Sequence, residues 1–260
     1  TVREAITLAS VRSVVVTGRE EEWRFTPVTA ITQTSWRPST GVSEEITREQ
    51  LAPFIFGHEE WCTLVFVNGE YAPALSSPGN LPAGVVATSI AEALRNGGEV
   101  LQRHFAKYAR IEENPFTALN TALFRDGGFV HVSAGVDLSL AINLVFVSTA
   151  DATGTVTHPR NLIVVERNAR ASVVESYVTL APGARYWTNS VTEVWTGPNS
   201  WVEHTRIQRE SEAAYHVATT QAERARRPAL RSAAQRPRAP YRRCGPRSKP
   251  GARRRSRRRR

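Results

Sequence analysis

The stretch NLIVVERNARASVVESYV, residues 161–178, decides how the rest of the chain is read. Two runs rich in Val and Ile flank the polar corner Glu166-Arg167-Asn168, and neither run has helical spacing. VHVSAGVDL, at residues 130–138, has the same form, again with a small or amide residue between two β runs. At Asp126-Gly127-Gly128 the apolar period changes from helical to alternating. From there to about residue 220 short β runs follow one another: GFVHVSAGV (128–136), INLVFVS (142–148), YWTNSVTEVW (186–195) and NSWVEHTRIQ (199–208). Many short strands with similar corners and no long helix fit the stacked rungs of a β-helix, or a sandwich. Rung periodicity alone does not separate the two.

Upstream, the pattern is mixed. In ITREQLAPFIF (46–56), Thr47 and Gln50 stand at capping-box spacing, which predicts a short helix. In WCTLVFVNGEYAPAL (61–75), Asn68-Gly69 can adopt the positive φ angles of a two-residue turn, which predicts a hairpin. Residues 88–109 open on a second capping pair, Ser89 and Glu92, and place Ile90, Ala93, Leu94, Gly97, Leu101, His104, Phe105 and Tyr108 on one helical face. Gly97-Gly98 costs about 1 kcal/mol per glycine there, so a break is expected. A third helix should begin at Asn114 as cap, with Pro115 in the first turn and a stripe of Phe116, Leu119, Leu123 and Phe124.

Charge divides the chain in two. Of 34 basic and 24 acidic side chains, residues 224–260 hold 17 basic and no acidic ones, leaving residues 1–223 at 17 − 24 = −7. The tail, RARRPALRSAAQRPRAPYRRCGPRSKPGARRRSRRRR, has almost no β-branched residue. It is expected to be disordered, because it cannot bury enough apolar surface to offset its chain entropy. Its functional reading is non-specific phosphate binding. It lacks interleaved aromatics beyond Tyr241, and no recognised nucleic-acid module precedes it. No stretch approaches the roughly 18 apolar residues of a bilayer span, and the start is a poor signal peptide. Two cysteines, Cys62 and Cys244, make no disulfide framework and fit a reducing cytoplasm.

Residues that could carry chemistry are scattered. The histidines, His58, His104, His131, His158, His204 and His216, lack the short spacing of a zinc site. His58-Glu59-Glu60 and Glu203-His204 read as local surface contacts, and His104 as a packed helix residue. There is no GxSxG, GxxxxGK[ST] or GxGxxG motif. Cys62 reads as a small buried hydrophobe. Glu166, Glu175, Glu193 and Glu203 could flank a sugar, as in β-helix polysaccharide enzymes, but the plainer reading is solvated strand edges.

Several long motifs resemble one family. HPRNLIVVERNARASVVESYV (158–178), YWTNSVTEVWTGPNSWVEHTRIQRES (186–211) and AYHVATTQAERAR (214–226) resemble the SufB/SufD proteins of iron–sulfur cluster assembly. GREEEWRFTP (18–27), LVFVNGEYAPALS (64–76) and NPFTALNTALFRDGGFVHV (114–132) look like the SufD branch. The resemblance implies a right-handed parallel β-helix after a helical N-terminal region. It also implies pairing with a SufB-like subunit through the β-helices, docking of a SufC-like ATPase through a C-terminal segment, and a cytoplasmic scaffold role. A SufD-like subunit is not an enzyme; ATP hydrolysis belongs to the ATPase.

The resemblance stops at TTQAERAR (219–226). The expectation is therefore a truncated, mainly β chain: an N-terminal helical or α+β region at 1–113, a partial β-helix core at 114–223, and the basic tail at 224–260. The tail has the composition of a reading-frame slip in GC-rich coding DNA. The family's cluster-forming and SufC-docking positions lie beyond the break, so the docking segment for a SufC-like ATPase is expected to be missing here, no catalytic, cofactor-binding or metal residue is nominated, and no cofactor is expected. The rivals are a nucleic-acid-binding protein acting through the tail and a β-helix carbohydrate-active enzyme.

Overall fold

Local chemistry sets the N-terminal elements. In the computed structural model, which describes residues 28–39, 41, 46–55, 61–224, 229–235 and 242–247, these are α1 (Thr29–Thr32), β1 (Arg37–Pro38), α2 (Arg48–Leu51), β2 (Cys62–Val67), β3 (Glu70–Tyr71), β4 (Val85–Ser89), α3 (Ile90–Arg95), α4 (Glu99–His104) and α5 (Pro115–Leu123). The capping box on α2 closes in both directions, Gln50 N to Thr47 Oγ1 and Thr47 N to Gln50 Oε1. Asn68 and Gly69 take φ of 49° and 90° and join β2 to antiparallel β3. The 88–109 pattern forms two helices, broken at Gly97 (φ 70°). The Asn114 carboxamide accepts from Phe116 N and Thr117 N and so starts α5. At the helix-to-strand switch, a Cβ on Gly127 would lie 1.9 Å from the Arg160 carbonyl oxygen, so only glycine fits there.

From Gly128 the chain alternates between two sheets. β5 (Gly128–Val132), β6 (Asp137–Ser148), β7 (Thr155–Thr157), β8 (Arg160–Val165), β9 (Arg170–Thr179), β10 (Trp187–Thr196), β11 (Trp201–Arg209) and β12 (Tyr215–Arg224) follow in order. One sheet carries β2, β6, β9 and β11 as a parallel ladder. The other carries β5, β8, β10 and β12, also parallel, with β7 continuing β8 across the His158-Pro159 break. Successive strands of one sheet are thus one full circuit apart: Val173 of β9 faces His204 of β11, and Val191 of β10 faces Arg160 of β8. A sandwich of hairpins would give antiparallel neighbours. Parallel in-register ladders with strands alternating between sheets define a β-solenoid, of about three turns.

The corners stack like the strands. Gly135, Asn168 and Asn199 all have positive φ, and Asn199 Nδ2 donates to Asn168 Oδ1 at 3.3 Å. These are the small and amide residues whose recurrence marks the corners in the sequence. The interior is packed with Leu64, Phe66, Ile142, Leu144, Phe146, Ile163, Val165 and Val194. The outer faces are partly covered as well. α2 and its neighbours lie over Val65, Val145, Val147 and Val178, while α3 and α4 cover Leu162 and Val164. Burial on both faces explains why these strands read as continuous apolar runs.

Two short backbone segments follow Arg224 in the described residues. β13 (Ala229–Gln235) pairs parallel with β11, and β14 (Arg242–Arg247) pairs parallel with β12. Apart from Arg224, the rest of 224–260 lies outside the described residues. Among the described residues no helix is long and apolar enough to cross a membrane.

Candidate functional site

The solenoid interior changes character along its axis. Following the ladder inward positions from coil to coil gives Cys62–Ile142–Val173–His204, Leu64–Leu144–Glu175–Arg206 and Phe66–Phe146–Tyr177–Gln208. Each column begins apolar and ends polar. On the facing sheet, Ile163–Val194–Ala222 stays apolar while Asn161–Thr192–Thr220 is polar throughout. Rings stack along the third column: Phe66 on Phe146 at 4.9 Å and Phe146 on Tyr177 at 4.8 Å, with His216 edge-on to Tyr177 at 4.6 Å.

Glu175 is the hub of this polar interior. Its Oε1 accepts from Thr192 Oγ1 at 2.5 Å and pairs with His204 Nε2 at 3.0 Å; its Oε2 accepts from Tyr177 OH at 3.1 Å and Arg206 Nε at 3.3 Å. Burial by itself would raise its pKa. The charge and hydrogen bond of His204, then Arg206 and Thr192, outweigh burial and hold the carboxyl well below the usual range. Arg206 Nη2 also reaches Thr220 Oγ1, and His204 Nδ1 lies 3.3 Å from Ser232 Oγ. One turn on, His216 Nδ1 lies 2.7 Å from Glu210 Oε2, and Glu210 also accepts from Thr188 and Gln208.

A second buried carboxylate lies outside the coil. Glu193 takes N–H bonds from Ala106, Tyr108 and Ala109 at 2.6–2.8 Å and a guanidinium bond from Arg160 at 2.9 Å. Arg160 Nη1 continues to Asn120 and Thr121 of α5. Each of the two carboxylates therefore has about four partners, which uses the acceptor capacity of a carboxylate. Such a group positions its neighbours, and it has no free lone pair with which to act as a base.

The sequence candidates end up in separate places. Glu175 and Glu193 are fully buried, which corrects their reading as solvated strand edges. The correction has a physical reason: strands buried on both faces, with polar partners supplied by the next coil, can enclose charges. Glu175 faces the interior, Glu193 the outer face of the other sheet, and Glu203 a shallow groove with Trp61, Ser172 and Thr205. No two of them share a space, so the paired-carboxylate geometry of a carbohydrate enzyme is not formed. Glu166 lies at a corner, 3.1 Å from His131 Nε2. His104 is buried against Trp195 and bonded to Tyr108 OH. Cys62 is buried, and burial pushes its thiol up to about 11. His58 and the side chain of Cys244 lie outside the described residues. Among the described residues no cluster of three His, Cys, Asp or Glu side chains could hold a metal ion.

Sequence reasoning named Glu175, Glu193, His204 and His216 but did not bring them together, and it missed Arg160, Arg206 and Tyr177. The one available signal was the density of charged and amide residues inside β-rich runs.

A β-solenoid with an interior that turns polar along its axis is a class of fold; comparison with known proteins gives the family. Residues 58–144 match the model of the SufBD protein N-terminal region, and residues 146–235 match that of the SUF system FeS cluster assembly SufBD core domain. The chain belongs to the SufBD family of the SUF system for iron–sulfur cluster assembly. It is 31% identical over 209 residues to an iron–sulfur cluster assembly SufBD family protein of Synechocystis, covering 78% of this chain and 46% of that protein. It is also 30% identical over 122 residues to the iron–sulfur cluster assembly protein SufD of Bacillus subtilis (46% of this chain, 28% of SufD). With SufB of the same organism it shares 25% over 136 residues (52% of this chain, 29% of SufB). The chain spans about half or less of the length of these relatives.

Proposed function

We propose that the chain is a SufD-like scaffold subunit of iron–sulfur cluster assembly: a cytoplasmic, non-enzymatic partner that pairs with a SufB-like subunit through the solenoid, in a complex that includes a SufC-like ATPase. The observation that carries this reading is the stack of in-register parallel coils, β2, β6, β9 and β11 in one sheet and β5, β8, β10 and β12 in the other. Terminal strands present a backbone row that another solenoid can continue. The saturated carboxylates support a structural role over acid–base work. The SufD branch rests on EEWRFTP (21–27) and LNTALFRDG (119–127). The cluster itself would be cargo of the assembled complex.

Co-expression of the tagged chain with SufB-, SufD- and SufC-like subunits tests the proposal. The expected result is retention of the SufB-like subunit in equimolar amount, without retention of a second SufD-like subunit. A chain that stays alone, or selects the SufD-like subunit, overturns it.

A further inference from the structure

The dipeptide Asn-Gly occurs twice in the chain, at Asn68-Gly69 and at Asn96-Gly97. In such a pair the glycine backbone nitrogen can attack the asparagine side-chain carbonyl carbon, because the second residue has no side chain to stand in the way. The new C–N bond closes a succinimide ring and the carboxamide C–N bond breaks. The proton lost by the glycine nitrogen leaves with the carboxamide nitrogen as ammonia. Water then opens the ring at either carbonyl, giving aspartate or isoaspartate, so water is the sole co-reactant. The attack needs a carboxamide free to turn and a glycine N–H free to lose its proton.

The two sites differ in both respects. Asn68 is only 2% exposed. Its Nδ2 donates to Thr149 Oγ1 at 2.8 Å and to the Gly41 carbonyl oxygen at 3.2 Å, and its Oδ1 accepts from Thr149 N at 3.0 Å. Gly69 lies against Thr157, whose methyl carbon is 3.4 Å from where a Cβ would stand. Asn96, at the break between α3 and α4, is exposed, and no hydrogen bond holds its carboxamide among the described residues. Gly97 N–H reaches the Leu94 carbonyl oxygen only at 3.4 Å, long for an amide hydrogen bond. The space beside Gly97 is empty within 4 Å.

We infer that Asn96 is a modification site, converted to isoaspartate through the succinimide in the folded chain, while the fold protects Asn68. Isoaspartate adds a methylene to the main chain and a carboxylate at the end of α3. The bond from Gly98 N–H to the Ala93 carbonyl oxygen, 3.3 Å, closes that end and loses its register. Ile90 and Ala93 of α3 pack on Leu162 and Val164, so the modification loosens this cover of the solenoid. The inference does not rest on the scaffold reading and shares no residue with the Glu175 network.

Incubating the folded full chain at mildly alkaline pH, with peptide mapping by mass spectrometry and isoaspartyl methyltransferase labelling, tests it. Isoaspartate should form at 96 roughly a hundredfold faster than at 68, since Asn68 must first open three hydrogen bonds. In urea the two sites should react alike. Asn96→Gln, whose longer side chain closes a ring far more slowly, should remove the product at 96. Hydrogen exchange at residues 93–98 should accelerate as the parent chain ages and stay constant in Asn96→Gln. Absence of isoaspartate at 96, or equal rates at 68 and 96 in the folded chain, overturns the inference. A difference that persists in urea would trace to neighbouring sequence and overturn the protection of Asn68 by the fold, and unchanged exchange in the aged chain would overturn the loosening of α3.

Discussion

Arg160 Nη2 and Glu193 Oε2 lie 2.9 Å apart with both side chains sealed from solvent. The pair joins two adjacent coils, and the remaining acceptor positions of Glu193 tie down the 106–109 loop. Desolvating two ions costs several kcal/mol each, so the pair persists because the carboxylate is fully bonded. Glu193→Ala leaves Arg160 buried without its counter-charge and should lower the unfolding free energy by about 3–5 kcal/mol. Glu193→Gln, which keeps an acceptor, should cost less. Urea denaturation of the two variants beside the parent chain measures both.

The Glu175 network asks whether charge or shape holds the C-terminal coils together. Glu175→Leu alone should cost about 3–5 kcal/mol, because it strands Arg206 inside the coil. Adding His204→Leu and Arg206→Met removes every unmatched charge and should restore most of that loss, since apolar replacements of buried ion groups are often neutral or better. A triple variant as unstable as the single one would show that packing, not charge, sets the cost. A stable triple variant that no longer retains a SufB-like subunit would assign the network to assembly.

Acid should destabilise the fold in two windows. His158 has a folded pKa near 3 against an unfolded value of about 6.5. Between those values the unfolded chain holds one more proton, so stability falls by about 1.4 kcal/mol per pH unit as the pH drops. Glu175 is depressed, so its stabilisation is complete above its unfolded pKa of about 4.3 and is lost below that. Unfolding midpoints from pH 7.5 to 5 should slope downward in the parent chain and flatten in His158→Gln. An equal slope in both would refute the assignment to His158.

Asn114→Ala removes the cap of α5 and should cost about 1 kcal/mol. The effect should reach beyond the helix, because Asn120 of α5 donates to the carbonyls of Pro159 and Asn189 and so spans the strand break. Hydrogen exchange at α5 and at residues 189–191 should accelerate together. Acceleration confined to α5 would mean that the two are uncoupled.

The N-terminal caps, the Asn68-Gly69 turn and the recurring corners were all legible in the sequence, because each depends on one or two residues with a fixed backbone preference. The strands were legible too, as runs of β-branched residues. The carboxylate environments were not. In WVEHTRIQR (201–209) both faces contain polar residues, so alternation cannot say which face is inside. On apolarity alone Trp201 and Ile207 would point inward. Instead they are half-buried outside, while His204, Arg206 and Gln208 point in.

The sequence by itself determined where strands begin, where they turn, and to which family the chain belongs. The tertiary structure decided which side of each strand became interior. That parity is set by the number of residues in each corner and by register with the coil beneath, which places His204 on Val173 and Arg206 on Glu175. A charged side chain can point inward only when a partner from another strand meets it there, and that meeting depends on residues 17 to 31 positions away in the chain.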